Sequence, residues 1–385
     1  MWNRVSQGAV KCCYTLWKAG FGAWPVGGCV RDLLLDRIPG DYDVTTSALP
    51  EQVMELFEHT IPTGVKHGTV TVIVEGEAVE VTTLRGETGY SDGRHPDGVR
   101  FGVSLEEDLA RRDFTVNAMA IRPDGLLADP FRGWNDLRAR LIRCVGEPHR
   151  RFEEDALRML RGVRFGAQLG FQIEKNTYKA MRDCACKVKN LAAERARVEV
   201  EKTLLSPRPE RLGEMFELGL LAPWYTGETP ELTGLGGVAC DRLARWAVLC
   251  ARLGDGEFPA RLKADGRLRR ACAGGLELYR SGLPEGDREW RHALANYDAE
   301  SCRAAAAISG RPGTVKQLEQ VLAGSPCVRV ADLALSGGEL MKLGYTGADI
   351  GRVQRQLLER VLDEPACNTP RKLWSLLCRD DALEP

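Results

Sequence analysis

Asp41 and Asp43 stand two residues apart in "GDYDVTT", a short β-prone segment. In an extended strand, residues i and i+2 point to the same face, about 6.5–7 Å apart along the chain. Both carboxylates can then reach one cation or straddle two. Two-metal phosphoryl-transfer sites hold their ions about 3.5–4 Å apart, and carboxylate oxygens are the hard ligands that Mg²⁺ prefers. Surface turns also make Asp-x-Asp often, so the neighbours carry weight. Gly27-Gly28, just upstream, lets backbone N–H groups approach a phosphate closely. Arg31 offers a bidentate clamp. Glu80, in "EVTTLR", falls on a later β-prone run that can lie beside the first. It supplies a third catalytic carboxylate or orients Arg85.

A second cluster lies in "RFEEDALRMLRGVRFGAQLG", which reads as one helix starting near Phe152. At about 100° per residue, Glu154, Asp155, Arg158, Arg161 and Arg164 fall within an arc of roughly 180°. Ala156, Met159, Leu160 and Val163 occupy the other side. Spacing alone leaves two interpretations open. One is a solvated face laced by pairs such as Glu154–Arg158. The other is a site with positive charge to spare for a triphosphate.

The elements that must position these residues belong to a chain of 385 residues, enough for two to four domains. Its 53 basic and 54 acidic residues nearly cancel, so net charge neither indicates nor excludes a nucleic-acid groove. No apolar run of about 20 residues offers a membrane span. Lys11 and Lys18 interrupt the N-terminal segment, which therefore does not suit a signal peptide. Thirteen cysteines without a Cys-x-x-Cys argue against a zinc ribbon and for small core residues in a reducing, cytoplasmic setting. None of the five histidines precedes an aspartate, which excludes the His-Asp dyad of metal phosphohydrolases.

Residues 1–23 read as an amphipathic helix. "HGTVTVIVEGEAVEVTTLR" reads as two strands around a Gly-Glu turn, and "FTVNAMAIRPDGLLADP" as two more around Pro-Asp-Gly. After Glu147 helical periodicity takes over, with Pro and Gly clusters near 206–209, 226–237, 253–259 and 309–313 as joints. The fold class is α+β: a head of roughly 145 residues with a mixed sheet, then an all-helical remainder.

"GGCVRDLLLDRIPGDYDVTT", "EVTTLR", "RRDFTVNAMA", "EEDALRMLRGVRF" and "ERARVEVEKTLL" resemble, in order, the successive motifs of the class II tRNA nucleotidyltransferases. These are the CCA-adding enzymes and their bacterial poly(A) polymerase relatives, of the polymerase-β-type superfamily. The resemblance covers roughly residues 20–210, with a weaker likeness in "LSGGELMKLGYTGADIGRVQRQLLERVL". It implies a nucleotidyltransferase head (1–146), a helical neck (147–208), a body (209–308) and a tail (309–385). It implies Mg²⁺ as cofactor on Asp41 and Asp43, CTP and ATP as substrates, and tRNA gripped by its acceptor and TψC arms. Gly28 and Arg31 would touch the triphosphate, and Asp113 and Asn117 the sugar. "ERARVE" would stabilise the neck.

The resemblance names Glu154-Asp155-x-x-Arg158 as the nucleotide-selecting motif, and chemistry gives the reason. A carboxylate only accepts hydrogen bonds and a guanidinium only donates. Cytosine and adenine each present an amino donor beside a ring acceptor, which fits Asp155 plus Arg158. Uracil and guanine present a carbonyl beside an N–H and set like against like. Glu154 would brace Arg158, while Arg112, Arg161 and Arg164 lean toward phosphates.

"RGETGYSDGRHPDGVRFGVS" has the composition of a mobile loop. In the family such a loop resembles the element that accepts ATP after two CMP additions and that CC-only relatives lack, which favours full CCA addition. The poly(A) polymerase relatives resemble a longer and more basic chain, and a pI near 6.6 leans away from them; the A-only alternative stays open. The alternative of another class is an idle RNA-binding protein with the inherited fold; intact Asp41, Asp43, Asp155 and Arg158 speak against it. "LGYTGADIG" could hold phosphates at a helix N-terminus or merely cap it.

Overall fold

A computed structural model describes residues 1–88 and 98–379. Its internal contacts gather into two units, Met1–Thr229 and Pro230–Pro385.

The first unit opens with α1 (Gln7–Lys18), shorter than the expected helix over 1–23. Ser6 starts it by accepting the Ala9 N–H at 3.3 Å, and Gly20 turns the chain away at φ 88°. The strands and helices that follow are β1 (Ala23–Val26), α2 (Gly28–Leu34), β2 (Tyr42–Thr46), α3 (Pro50–Leu56), β3 (Thr60–Gly64), β4 (Thr69–Val74) and β5 (Glu77–Thr83). The turn between β4 and β5 is centred on Glu75 and Gly76, both at positive φ, one residue before the Gly-Glu turn expected. Two successive left-handed residues match the right-handed strand twist of a tight hairpin. Alternation in this hairpin decides its faces. Val70, Val72, Val74, Val79 and Val81 are buried with Ala9, Cys12, Cys13 and Leu16 of α1 in one core. Thr69, Thr71, Glu80 and Thr82 point the other way.

A separate ribbon, β6 (Arg85–Thr88) with β7 (Gly98–Phe101), flanks the glycine-rich segment. The expected loop thus has strands at its base. Its centre, most of Ser91–Gly98, lies outside the described residues. Next come α4 (Leu105–Ala110), β8 (Ala120–Ile121), β9 (Leu127–Ala128), α5 (Gly133–Ala139) and β10 (Leu141–Ile142). The main sheet is mixed and seven-stranded, in the order β3-β4-β5-β2-β1-β8-β9.

After Glu147 the chain is helical with two corrections. The segment from Phe152 is not one helix. α6 (Pro148–Glu154) ends before Asp155, which is extended at φ −151°, ψ 109°, and α7 (Leu157–Leu169) begins two residues later. The Asp155 carboxylate accepts the Leu157 N–H at 3.0 Å, a local bond that competes with the helical one. Second, β11 (Gln172–Ile173) pairs in parallel with β10, so the remainder is not purely helical. α8 (Lys175–Cys184), α9 (Ala193–Leu204) and α10 (Leu212–Glu217) complete the unit.

The second unit is built from helices α11 (Arg242–Leu253), α12 (Phe258–Arg261), α13 (Gly266–Ser281), α14 (Asp287–Asn296), α15 (Ala299–Ile308), α16 (Pro312–Ala323), α17 (Gly337–Lys342), α18 (Ala348–Asp363) and α19 (Pro370–Arg379). A side chain at Gly275 of α13 would run into Ala304 of α15, so this pair packs backbone to backbone. Trp290, Cys302, Ala305 and Leu318 centre one core of the unit; Leu340, Val353, Leu357 and Val361 centre another. Gly347, at φ 53°, caps the start of α18. No helix among the described residues is long and apolar enough to cross a membrane.

Candidate active site

Register brings the carboxylates together. β2 pairs with β1 on one side, Val26 opposite Asp43, and in parallel with β5 on the other, Asp43 opposite Glu80. Neighbouring strands lie about 4.7–4.9 Å apart, so Asp43 and Glu80 stand side by side on one face. Asp41 lies one residue before β2 begins, and joins them on the wall of one cavity of about 1110 Å³. Both roles expected of Glu80 stay open at this position, beside Asp43 and on the same cavity wall as Arg85. Arg85 lines the same cavity; its guanidinium donates to the His67 carbonyl and its backbone N–H to Asp108.

The crowding has an electrostatic signature. Burial, then the charges of Glu80 and Asp41, push the Asp43 carboxyl up to about 6, against the pull of Arg112. Among the described residues, no three His, Cys, Asp or Glu side chains already converge on one cation position. The donor set is nonetheless all hard oxygen on one wall, and a divalent cation there would relieve the repulsion that raises Asp43. The residues therefore fit such an ion.

Gly27, between β1 and α2, is held at φ 80°, ψ −127°. The positive φ favours glycine, and a Cβ there would sit 2.8 Å from Arg112 Nη1, so that guanidinium would have to shift. The turn leads into Gly28 and Arg31 on the cavity wall. Arg31 Nη1 donates to Asn117 Oδ1 at 2.7 Å, while Nε and Nη2 hold Asp32 at 2.9 Å. Asn117 in turn donates to Asp113 at 3.3 Å, and Arg161 Nε donates to the same carboxylate at 2.7 Å. Burial alone would raise Asp113; the charge and hydrogen bond of Arg161, with Arg158 and Asn117, bring it down to about 2. Asp113 and Asn117 thus link the α2 arginine to Arg161 of α7.

Three guanidiniums converge on one ring. Arg31 and Arg161 lie 5.4 Å from the Phe165 centroid and Arg164 lies 3.9 Å from it. Each has a carboxylate partner, Asp32, Asp113 and Glu199 respectively. Arg112 differs. Its Nε is buried with no hydrogen-bond partner, its Nη2 is 3.6 Å from the buried Asp108, and burial lowers its pKa. Arg112 lines the cavity, and its guanidinium brings to that wall a positive charge that suits an anion.

On the facing wall, Arg158 donates to Glu154 at 2.7 Å and to the Arg111 and Arg151 carbonyls at 3.0 and 3.3 Å. Glu154 also accepts from Arg151. The bracing expected of Glu154 is present. Asp155 and Arg158 both line the cavity, but Asp155 is held by Arg195 of α9. Arg195 escaped the sequence reading, which gave "ERARVE" a purely stabilising part. Phe165 and Asp108 were missed as well. Asp108 had a signal: an acid three and four residues before Arg111 and Arg112 can pair with both along one helix.

A mixed sheet bearing adjacent carboxylates, a glycine turn feeding a helix, and helices α7 and α9 lining the same cavity define a polymerase-β-type nucleotidyltransferase. The comparisons agree. Residues 23–143 match the Poly A polymerase head domain, and residues 170–233 the probable RNA and SrmB-binding site of polymerase A. The CCA-adding enzyme of Leuconostoc mesenteroides is 36% identical over 356 residues, 88% of each chain. That of Geobacillus sp. (strain WCH70) is 37% identical over 377 residues, 92% of each. The crystal structure of the Bacillus stearothermophilus CCA-adding enzyme in complex with CTP superposes with a TM-score of 0.83 at 32% identity, covering 98% of each chain. The chain belongs to the CCA-adding enzymes, a family of nucleotidyltransferases that work with a divalent metal.

Proposed function

We propose that the protein completes the tRNA 3′ end without a nucleic-acid template, transferring CMP, CMP and AMP in turn from CTP and ATP with release of pyrophosphate. One observation carries this reading: a carboxylate wall and an acceptor–donor pair, Asp155 and Arg158, line the same cavity. Asp155 accepts the amino group of cytosine or adenine, and Arg158 donates to the adjoining ring nitrogen. Three contacts fix the direction of the Arg158 guanidinium before a base arrives. Gly28, Arg31 and Arg112 hold the triphosphate, with Arg161 and Arg164 shaping its end of the cavity around Phe165. Asp113 and Asn117 hold the sugar.

Asp41 and Asp43 would hold Mg²⁺, with Glu80 beside them. That ion, when bound, favours deprotonation of the attacking 3′-hydroxyl and stabilises charge on the leaving pyrophosphate. The four-part division into head (1–146), neck (147–208), body (209–308) and tail (309–385) assigns the tRNA acceptor and TψC arms to the helical parts. A cytoplasmic setting fits the buried, unbridged cysteines such as Cys12, Cys13, Cys29 and Cys144.

The test is incorporation onto tRNA that ends at the discriminator base, with each of the four labelled nucleoside triphosphates alone and in pairs. CTP alone should add two residues, and CTP with ATP three. A ladder of A residues from ATP alone would indicate a poly(A) polymerase, and no incorporation an idle binding protein.

A further inference from the structure

The nucleotide and metal assignments leave one wall of the cavity without a role. It is the open face of β3, β4 and β5, beyond Glu80. Thr71 of β4 is opposite Glu80, and Glu80 is opposite Asp43, so the three stand in a row across adjacent strands. Thr63 and Thr71 share a hydrogen bond at 3.0 Å between β3 and β4; Thr69 and Thr82 share one at 3.1 Å between β4 and β5. All four line the cavity, with His67 and Arg85 at its margin. The valines of β4 and β5 occupy the opposite, buried face. These hydroxyls therefore do not serve core packing.

We propose that this face seats the RNA 3′ end, the four threonine hydroxyls holding its terminal ribose-phosphate; this rests on the nucleotidyl-transfer reading above. In-line displacement requires the attacking oxygen and the leaving pyrophosphate on opposite sides of the α-phosphorus. Gly28 and Arg31 place the triphosphate on the β1 side of the carboxylates. The incoming hydroxyl then arrives from the β4 side, over Glu80. A hydroxyl both donates and accepts. It can meet a phosphate oxygen or a ribose 2′-hydroxyl, and it takes no part in reading the base. A seat of this chemistry serves a terminus that changes identity at each addition.

The test compares the parent with Thr71→Val, Thr71→Ser and the pair Thr71→Val/Thr82→Val. Valine keeps the β-branched shape and strand preference and removes only the hydroxyl. The probe is an RNA hairpin that ends at the discriminator base; CTP binding is measured by calorimetry without RNA. The valine variants should lose about tenfold in kcat/KM for the hairpin, with CTP affinity within about twofold of the parent and Thr71→Ser close to the parent. Unchanged kcat/KM for the hairpin, or an equal loss of CTP affinity, would overturn the proposal. A parent that leaves the hairpin unextended overturns the nucleotidyl-transfer reading, and the proposal with it.

Discussion

Arg195 grips Asp155 by both carboxylate oxygens, with Nη2 at 2.7 Å from one and Nη1 at 3.3 Å from the other. The ion pair joins α9 to the break between α6 and α7 and fixes where the acceptor points. Arg195→Met removes both donors and leaves Asp155 to turn toward Arg158, which cancels the acceptor–donor pattern. Discrimination of CTP and ATP against UTP and GTP should fall about tenfold, since roughly one charge-assisted contact is misdirected. Single-nucleotide incorporation with each triphosphate measures it. Unaltered discrimination would mean that the Leu157 N–H alone orients Asp155.

Asp43 is the innermost carboxylate of its wall. Asp43→Ala should retain tRNA binding and lose at least about a thousandfold in both CMP and AMP transfer, the scale expected when electrostatic support at the reacting phosphate is removed. Gel-shift and incorporation assays separate the two. Substantial turnover in Mg²⁺ would remove Asp43 from the metal site.

The raised carboxyl of Asp43, at about 6, has two consequences with pH. Between the ordinary aspartate value and about 6 the folded chain binds more protons than the unfolded one, so this group's contribution to stability declines as pH rises through that window. Without divalent metal, Asp43→Asn should therefore stabilise the protein by about 1–3 kcal/mol at pH 8 and have little effect at pH 4. Divalent-cation affinity should weaken as pH falls through about 6, because the ion competes with the proton. Thermal melts across pH, with and without Mg²⁺, follow both. A variant that melts like the parent at pH 8 would show that Asp43 carries no such burden.

Exchanging the reading groups should exchange the bases. Asp155→Asn supplies an amide that can donate to a carbonyl, and Arg158→Asp an acceptor for a ring N–H. The double variant should shift relative kcat/KM toward UTP and GTP by about tens- to hundreds-fold, at about 1–3 kcal/mol for each misplaced contact. The gain should be partial, because Glu154 is set to brace an arginine that is gone, and Arg195 remains where its partner is no longer charged. Retention of the parent's C and A preference would place base selection elsewhere in the cavity.

Much of this site was legible in the chain itself. The Asp-x-Asp pair, the glycine turn before Arg31 and the acid–arginine run from Glu154 are local patterns. Their chemistry follows from residue type and spacing over a few residues, and those spacings survive folding. Alternation in "TVTVIV" and "EAVEVTT" likewise set which residues of the β4–β5 hairpin face its core. Helical phase failed at Asp155. A side chain that accepts the Leu157 N–H and the Arg195 guanidinium outweighs the helical preference of its neighbours, and no window of nearby sequence contains Arg195.

What only the tertiary structure decided are relations across long separations. Glu80 stands beside Asp43 because β5 pairs in parallel with β2, in a register that matches residues 37 positions apart in sequence. Arg161 meets Asp113 and Arg195 meets Asp155 through helices that sequence could place in order but not orient. Local propensity acts over one or two turns of chain. Strand register and helix packing are set by burying apolar faces together, and that requirement couples residues whose separation in sequence carries no signal of their contact.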